Sequence, residues 1–516
     1  MNHPLPICGS YYTDFGILHL SLVGDSVEGT YTHHDGHVKG TLRDGSISGT
    51  WVQRGNAVEG TFQFDFDHGA NHFQGQWTAT DGRSGTWNGV RLRLPQENEG
   101  GFPGGWGSHS AGPLLAGPMI GEVGERDARI WVQARGTSPL TLVVESADGQ
   151  TRRIVRSPEW GDWSCIVFHV DDLRPDATHS YWLENEHGQT PVYPLPLAPS
   201  ASARAVRIAI GSCFKWYWRQ DLPIFDSIAN ERPECFVMLG DNTYYGAPDW
   251  QTEHTMMLAQ LRARNNPSLA RIIAQFPTLG VWDDHDFGPN DADSRFPGKD
   301  MSMRAFRRSW ANARWGTSGI AGLFSSVRVG PAELFLLDSR WYRNASAKTL
   351  LGKEQLEWLI DALTQSDAAM KIVASPTQVL AEAAVRKQWE CFRLNAPGEL
   401  DFLLREIENR NIRGVVFVSG DLHMANLFHC EGRRLPGGFG PDFWELTASP
   451  LANEPWMESI DDEDPGLVSE CIDSCNYGIV DIDLDRVGAE VRLICKNERG
   501  EVLFEQPVAL DTLGIR

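Results

Sequence analysis

Apolar and polar residues follow three successive rhythms along this chain. From residue 1 to about 110, short strand-like stretches recur, each marked by glycine and then an aromatic or apolar residue two positions on. The units are Gly29-Thr30-Tyr31, Gly40-Thr41-Leu42, Gly49-Thr50-Trp51, Gly60-Thr61-Phe62, Gly75-Gln76-Trp77 and Gly85-Thr86-Trp87, at steps of 11, 9, 11, 15 and 10 residues. Turn pairs such as Asp35-Gly36, Asp44-Gly45 and Asp81-Gly82 lie between them. The pattern predicts a β-repeat domain, either a meander or a small barrel. Its aromatics fit a packed core, or an aromatic face that binds sugars or a partner. His33, His34 and His37 fit an exposed turn, or a metal site.

Residues 95–112 are rich in Gly and polar residues and read as a linker. Between 113 and 200 a second β pattern appears, in 128–132, 140–144 and 181–183. The stretch 173–178 followed by Tyr181 resembles the turn into a late strand of a fibronectin/Ig-like β-sandwich. A Pro-rich run, 191–200, closes it. From about 204, strands and helices alternate. Apolar runs at 206–213, 235–241, 277–286, 332–338, 371–379 and 414–423 each end on polar residues, and 353–363 and 399–411 have helical periodicity. This predicts an α/β domain with its chemistry at the C-terminal ends of strands. The tail, 477–510, returns to β strands that close the sheets. The expected domains are 1–110, 111–203 and 204–516.

Composition narrows the partners. The 516 residues carry 46 basic and 68 acidic side chains, a formal charge of −22, which argues against nucleic acid or an anionic membrane as the main partner. Residues 435–485 alone hold 13 acids and no Lys, Arg or His, densest at Glu458, Asp461, Asp462, Glu463 and Asp464. This stretch reads as a solvated loop, a cation site or a gate that repels polyanions. No apolar run is long enough to span a membrane. The N-terminus lacks the basic and apolar regions of an export signal, so the expected location is cytoplasmic, or exported if the chain has been trimmed. Nine scattered cysteines do not form a disulfide framework. Cys471 and Cys475 lie four apart with no further ligand nearby, so zinc is not expected there.

Four strand ends carry the candidate chemistry: Ser212-Cys213, Gly240-Asp241-Asn242-Thr243-Tyr244, Trp282-Asp283-Asp284-His285-Asp286 and Gly420-Asp421-Leu422-His423. One such ending is an ordinary helix cap. Four together, with carboxylates, imidazoles, a thiol and a phenol, suggest bound metal. Cys213 alone also fits a buried structural thiol. Asn290 and Asp291 fit a metal-facing loop or a helix cap.

The order of these motifs, with Leu337-Asp338-Ser339-Arg340 between the third and fourth, resembles the calcineurin-like metallophosphoesterases, and within them the alkaline phosphatase D family. The resemblance covers about 300 residues, and the sandwich before them also fits it. The aromatic repeat and the missing export signal depart from it. The resemblance implies a four-layer α/β catalytic domain and a phosphomonoesterase or phosphodiesterase with two or more metal ions. Asp241 would bridge the metals, while Cys213, Tyr244 and His423 would complete a site favouring Fe³⁺. Asp284 and Asp421 would serve the second metal, taking Ca²⁺, Mg²⁺, Mn²⁺ or Zn²⁺. His285 would protonate the leaving group or steady the phosphoryl group. Arg340 and Asn242 would contact the substrate, a small phosphate ester. Arg340 equally fits a salt bridge to Asp338 or a surface pair. A phospholipase D-like or phosphotriesterase specialist remains open, its mouth lined by Trp216, Tyr217, Trp218, Tyr245 and Trp250, which could equally be packing. A carbohydrate- or surface-binding protein acting through the repeat is the reading from another class.

Overall fold

In the computed structural model the glycine–aromatic rhythm becomes a closed barrel. All residues are described except 1–6, 24, 32–35, 54–56, 68, 69, 71, 93–111, 136, 137, 160–163, 218, 220, 221, 247, 248, 383–389, 433–440, 456–463, 486–489 and 516. The expected linker up to residue 111, His33, His34, Trp218, and the acids Glu458, Asp461, Asp462 and Glu463 lie outside the described residues. The strands Gly9–Thr13, Gly16–Val23, Ser26–Tyr31, Gly36–Arg43, Ser46–Gln53, Val58–Phe66 and His72–Ala79 pair in sequence, all antiparallel. Gly89–Leu92 then pairs with both the first and the last of these strands and closes the ring.

An eight-stranded ring is just wide enough for side chains to fill, and here aromatics fill it. Trp87 meets Phe15, Tyr31, Phe62 and Phe64 at ring separations of 4.7–6.1 Å. The repeat residues Tyr31, Trp51, Phe62 and Trp87 are buried, so they are core and not a sugar-binding face. The glycines have a packing cause. A Cβ on Gly49 would lie 2.0 Å from the Lys39 carbonyl oxygen, and one on Gly60 the same distance from that of Thr78. Only glycine lets neighbouring strands approach this closely at a barrel bend.

The chain divides into two compact units, Met1–Gly105 with Tyr244–Thr255, and Trp106–Thr243 with Met256–Arg516. In the second unit a sandwich comes first. Leu114–Val123, Ala128–Ala134 and Cys165–Val170 form one sheet; Thr151–Arg156, Leu140–Ser146, His179–Asn185 and two short strands form the other. Ile130, Val132, Leu142, Val144, Phe168 and Leu183 pack between them. The sandwich is riveted to the α/β layers. The Trp131 indole donates to the Arg308 carbonyl at 2.6 Å, and the Tyr181 hydroxyl to that of Ala274 at 2.8 Å.

Two six-stranded sheets form the α/β part. In the first, Ala205–Gly211, Cys235–Leu239 and Thr278–Val281 run parallel. The tail strands Asn476–Asp483, Glu490–Asn497 and Val502–Ala509 extend it antiparallel. The second sheet has a parallel centre of Ala332–Leu336, Met370–Ala374, Val415–Ser419 and Phe443–Thr447, edged by Ser325–Val329 and Asn426–Cys430. The sheets share one core, in which Ile208, Val237 and Val480 of the first join Leu334, Ile372 and Val416 of the second. The helices Gly352–Gln365 and Pro397–Asn409 cover the second sheet's outer face through Leu356, Leu359, Leu400 and Leu404. Strands covered on both faces need continuous apolar runs, which is why Cys235–Leu239 and Val415–Ser419 show no alternation.

One buried acid ties this sheet to its loops. Glu445 accepts the backbone N–H of Val379 and Leu380 at 2.7 and 2.6 Å and the Ser419 hydroxyl at 2.5 Å. Burial pushes its carboxyl up to about 7. A folded value raised above the ordinary value of about 4.3 contributes stability at lower pH that is lost as pH rises through about 7. Glu445→Gln is therefore expected to flatten the pH dependence of urea midpoints between about pH 4 and 7. An unchanged slope would contradict this.

Candidate metal centre

The parallel strands of both sheets end on one edge, and the candidate ligands sit there. Cys213 lies two residues past Ala205–Gly211, Asp241 two past Cys235–Leu239, and Asp284 three past Thr278–Val281. From the second sheet, Asp421 and His423 follow Val415–Ser419. The local backbone is unusual. Cys213, Asp241, Asp421 and His423 have φ of 59°, 53°, 70° and 53°, in the left-handed region. Each such non-glycine residue costs on the order of 1–3 kcal/mol, and these conformations concentrate where a ligand must be aimed. Gly240, at φ 93°, sits where a Cβ would lie 2.6 Å from the Asp283 Cβ, so the second and third strand-end loops touch there.

The ligand atoms converge. Cys213, Asp241 and His423 form one group whose donor atoms all lie within 4.8 Å of one another. Asp241, Asp284 and His285 form a second such group, and Asp283, Asp284 and Asp421 a third. The Cys213 thiol donates to Asp241 Oδ2 at 3.6 Å and to the Asp421 carbonyl at 3.4 Å. The backbone N–H of His285 donates to Asp241 Oδ1 at 3.2 Å. His423 donates its backbone N–H to Ser449 Oγ at 3.1 Å, and its Nε2 lies 3.3 Å from Asn453 Nδ2.

Electrostatically the cluster is dominated by acids, with Arg340 meeting Asp283 and, at 3.8 Å, Asp284. Burial holds the Asp241 carboxyl well above the usual carboxylate range, and Asp284, Asp283, Asp286 and Asp421 push it further. Burial does the same to the Cys213 thiol, aided by Asp241 and Asp421. Carboxylates this close repel unless protons or cations intervene. Asp283 Oδ2 is buried and has no hydrogen-bond partner among the described residues. The donor set suits a cation: several hard oxygens, with an imidazole and a thiol at one end.

A scaffold of hydrogen bonds holds these loops. Asp286 accepts the backbone N–H groups of Asn242, Thr243 and Asp283 at 3.0–3.1 Å. Its own carboxyl is pushed up to about 7 by burial, against the pull of those donors. Asp338 accepts the Trp282 indole at 2.7 Å and the backbone N–H groups of Leu323, Arg340 and Trp341 at 2.9 Å.

Two expected substrate contacts sit differently. The Asn242 side chain is fully buried, and its Nδ2 donates to the Val281 carbonyl at 2.7 Å and to Asp286 at 3.1 Å. Its amide nitrogen thus braces two loops, while its Oδ1 is buried with no hydrogen-bond partner among the described residues. Arg340 is also fully buried. Its Nε donates to Asp283 at 2.5 Å, and its Nη2 to Glu390 at 2.8 Å and toward Asp284 at 3.8 Å. This corrects the salt-bridge reading of Arg340, since its guanidinium reaches Asp283, Glu390, Asp284 and the Ala292 carbonyl and neither the Asp338 side chain nor a surface partner.

Asp291 donates its backbone N–H to Asp284 Oδ2 at 2.7 Å, and its carboxylate groups with those of Asp284 and Glu390. Sequence reasoning passed over Glu390, Arg343 and the separate role of Asp283. Glu390 follows no apolar run and belongs to no motif, whereas Asp283 stood inside one. Tyr244 is buried, three residues past Asp241 in the segment Tyr244–Thr255. Trp216 and Tyr245 are buried as well, whereas Tyr217 and Trp250 are half-buried. Cys471 and Cys475 enter no ligand group among the described residues.

The model of the PhoD-like phosphatase family matches residues 208–492, more than half of the chain and all of the strand ends above. The chain belongs to the PhoD-like phosphatases. Alkaline phosphatase D of Bacillus subtilis (strain 168) is 25% identical over 318 residues, 50% of this chain and 53% of that relative. The match thus spans about half the length of this curated relative. A solved structure of PhoD superposes with a TM-score of 0.62 at 16% identity, covering 79% of this chain and 94% of that one. The purple acid phosphatase PPD1 from seeds of yellow lupin (Lupinus luteus) superposes at 0.58 with 9% identity, covering 96% and 93%. At these identities the two structures establish a shared fold. Among the described residues, no helix is long and apolar enough to cross a membrane.

Proposed function

We propose that this PhoD-like protein is a metal-dependent phosphoric ester hydrolase acting on small phosphate mono- or diesters. The observation that carries the reading is Asp241, common to the Cys213–His423 group and to the Asp284–His285 group. A carboxylate in that position suits a bridge between two ions. Cys213, Asp241, Tyr244 and His423 would hold one ion, with Fe³⁺ favoured by a phenolate and a thiolate. Asp241, Asp284 and Asp421 would hold the other, where carboxylates favour Ca²⁺, with Mg²⁺, Mn²⁺ or Zn²⁺ as alternatives. Bound metals of this kind supply Lewis acidity and an activated water at neutral pH.

The chain's own residues do the rest. His285 is half-buried beside Asp241 and Asp284 and is the group suited to deliver a proton to the departing oxygen. Asp286 and Asp338 fix the loops on which the ligands stand, so little reorganisation accompanies reaction. The filled barrel gives no support to a carbohydrate-binding role.

Metal analysis paired with hydrolysis of p-nitrophenyl phosphate and its bis-ester tests this. One or both esters should turn over, and chelation should stop it. A protein with neither metal nor turnover would sink the reading. Tyr244→Phe should abolish a visible phenolate-to-iron absorption band. Unchanged colour and iron would remove Tyr244 from the ligands.

A further inference from the structure

Next to the candidate metal centre lies a quartet of fully buried charges that the proposed reaction does not use. Asp283, Arg340, Glu390 and Arg343 are each at most 1% exposed. Arg340 spans Asp283 and Glu390, and Arg343 Nη1 donates to both Glu390 oxygens at 3.0 and 2.9 Å. Ser339 Oγ donates to Asp283 Oδ1 at 2.9 Å. Two carboxylates and two guanidiniums make the quartet neutral. Of the carboxylates beside it, Asp284 faces the quartet directly: Arg340 Nη2 lies 3.8 Å from Asp284 Oδ1, and Asp284 groups with Glu390. A buried charge left without its partner acts strongly on neighbours, because little water screens it.

We infer that Arg340, Glu390 and Arg343 are positioning residues whose charge balance sets the cation affinity of the Asp241–Asp284–Asp421 position, and that Arg340 acts through Asp283 and Asp284 without touching substrate. The inference rests on the proposed reading of those three carboxylates as a cation site. Arg340 is shared among Asp283, Glu390 and, at longer range, Asp284. Without the Glu390 charge, the two guanidiniums lose one of the carboxylates that balance them, and the added positive charge beside Asp284 opposes a divalent ion. Without the Arg343 charge the excess is negative and favours the ion. The two changes therefore act with opposite signs, whereas a purely structural role would make both weaken binding.

Chelator-stripped full-length protein is titrated with Mn²⁺, and free Mn²⁺ is read by electron paramagnetic resonance. The relevant class of site is the one lost in Asp421→Asn. Glu390→Gln, nearly isosteric, should weaken that class at least tenfold, and Arg343→Met should tighten it several-fold. The KM for p-nitrophenyl phosphate at saturating Mn²⁺ should stay within about twofold in Glu390→Gln. Affinities that move in the same direction, or do not move, overturn the inference. So does loss of a separate class of site in Glu390→Gln with the Asp421 class unmoved, which would make Glu390 a ligand. Arg340→Lys provides a further arm: a raised KM and weaker phosphate inhibition at unchanged Mn²⁺ affinity would restore Arg340 as a clamp. A wild-type protein lacking the Asp421-dependent class overturns the reading of the site itself, and this inference with it.

Discussion

Asp241→Asn is expected to abolish ester hydrolysis while making the metal-free protein more stable. Asp241 is the one carboxylate common to the two ligand groups built around Cys213–His423 and Asp284–His285. Replacing it with an amide removes the bridging charge, so both ions should bind far more weakly. Turnover should fall by at least about 1000-fold, on the order of 4 kcal/mol of lost transition-state stabilisation. Without metal the sign reverses. Burial and four neighbouring carboxylates already hold the Asp241 carboxyl well above its ordinary range. An uncharged side chain relieves that repulsion, so the unfolding temperature of chelated Asp241→Asn should exceed that of the chelated parent. Metal content, turnover and thermal unfolding measure the three effects. A variant that keeps its metals and a tenth of its activity would exclude Asp241 as the bridge.

His285→Ala carries the second large effect, and its signature is dependence on the leaving group. A positioned general acid contributes about 100- to 10,000-fold. Nitrophenolate leaves readily without a proton, whereas an alkoxide does not. The loss should therefore be small for p-nitrophenyl phosphate and near the full range for a simple alkyl phosphate, with metal content unchanged. Equal losses on both esters would argue against proton delivery. Loss of metal would instead make His285 a ligand, as its nearness to Asp241 and Asp284 permits.

Much of this architecture was legible because it rests on local rules. The six apolar runs of the α/β region became the strands Ala205–Gly211, Cys235–Leu239, Thr278–Val281, Ala332–Leu336, Met370–Ala374 and Val415–Ser419. The periodic segments 353–363 and 399–411 became Gly352–Gln365 and Pro397–Asn409. What escaped was weakly patterned. Asn426–Cys430 and Phe443–Thr447 are five-residue strands without clear boundaries. The helix Glu253–Arg264 buries polar Gln260 and Arg264, with the Arg264 guanidinium stacked 3.9 Å from the Trp310 ring, so its apolar stripe is faint.

The sequence by itself determined the candidate ligand types and their order, because metal chemistry would demand particular atoms and strand ends present them at motif spacing. It also determined the barrel's rhythm, since close strand approach requires glycine and a filled interior requires aromatics. Only the tertiary structure decided which charges face one another. Arg340 and Glu390 are 50 residues apart, and Asp283 meets Arg340 across 57. Nothing local distinguishes a guanidinium that clamps a phosphate from one locked among buried carboxylates. That difference arises when two sheets pack and water is excluded between their loops, because an ion pair's strength depends on what surrounds it.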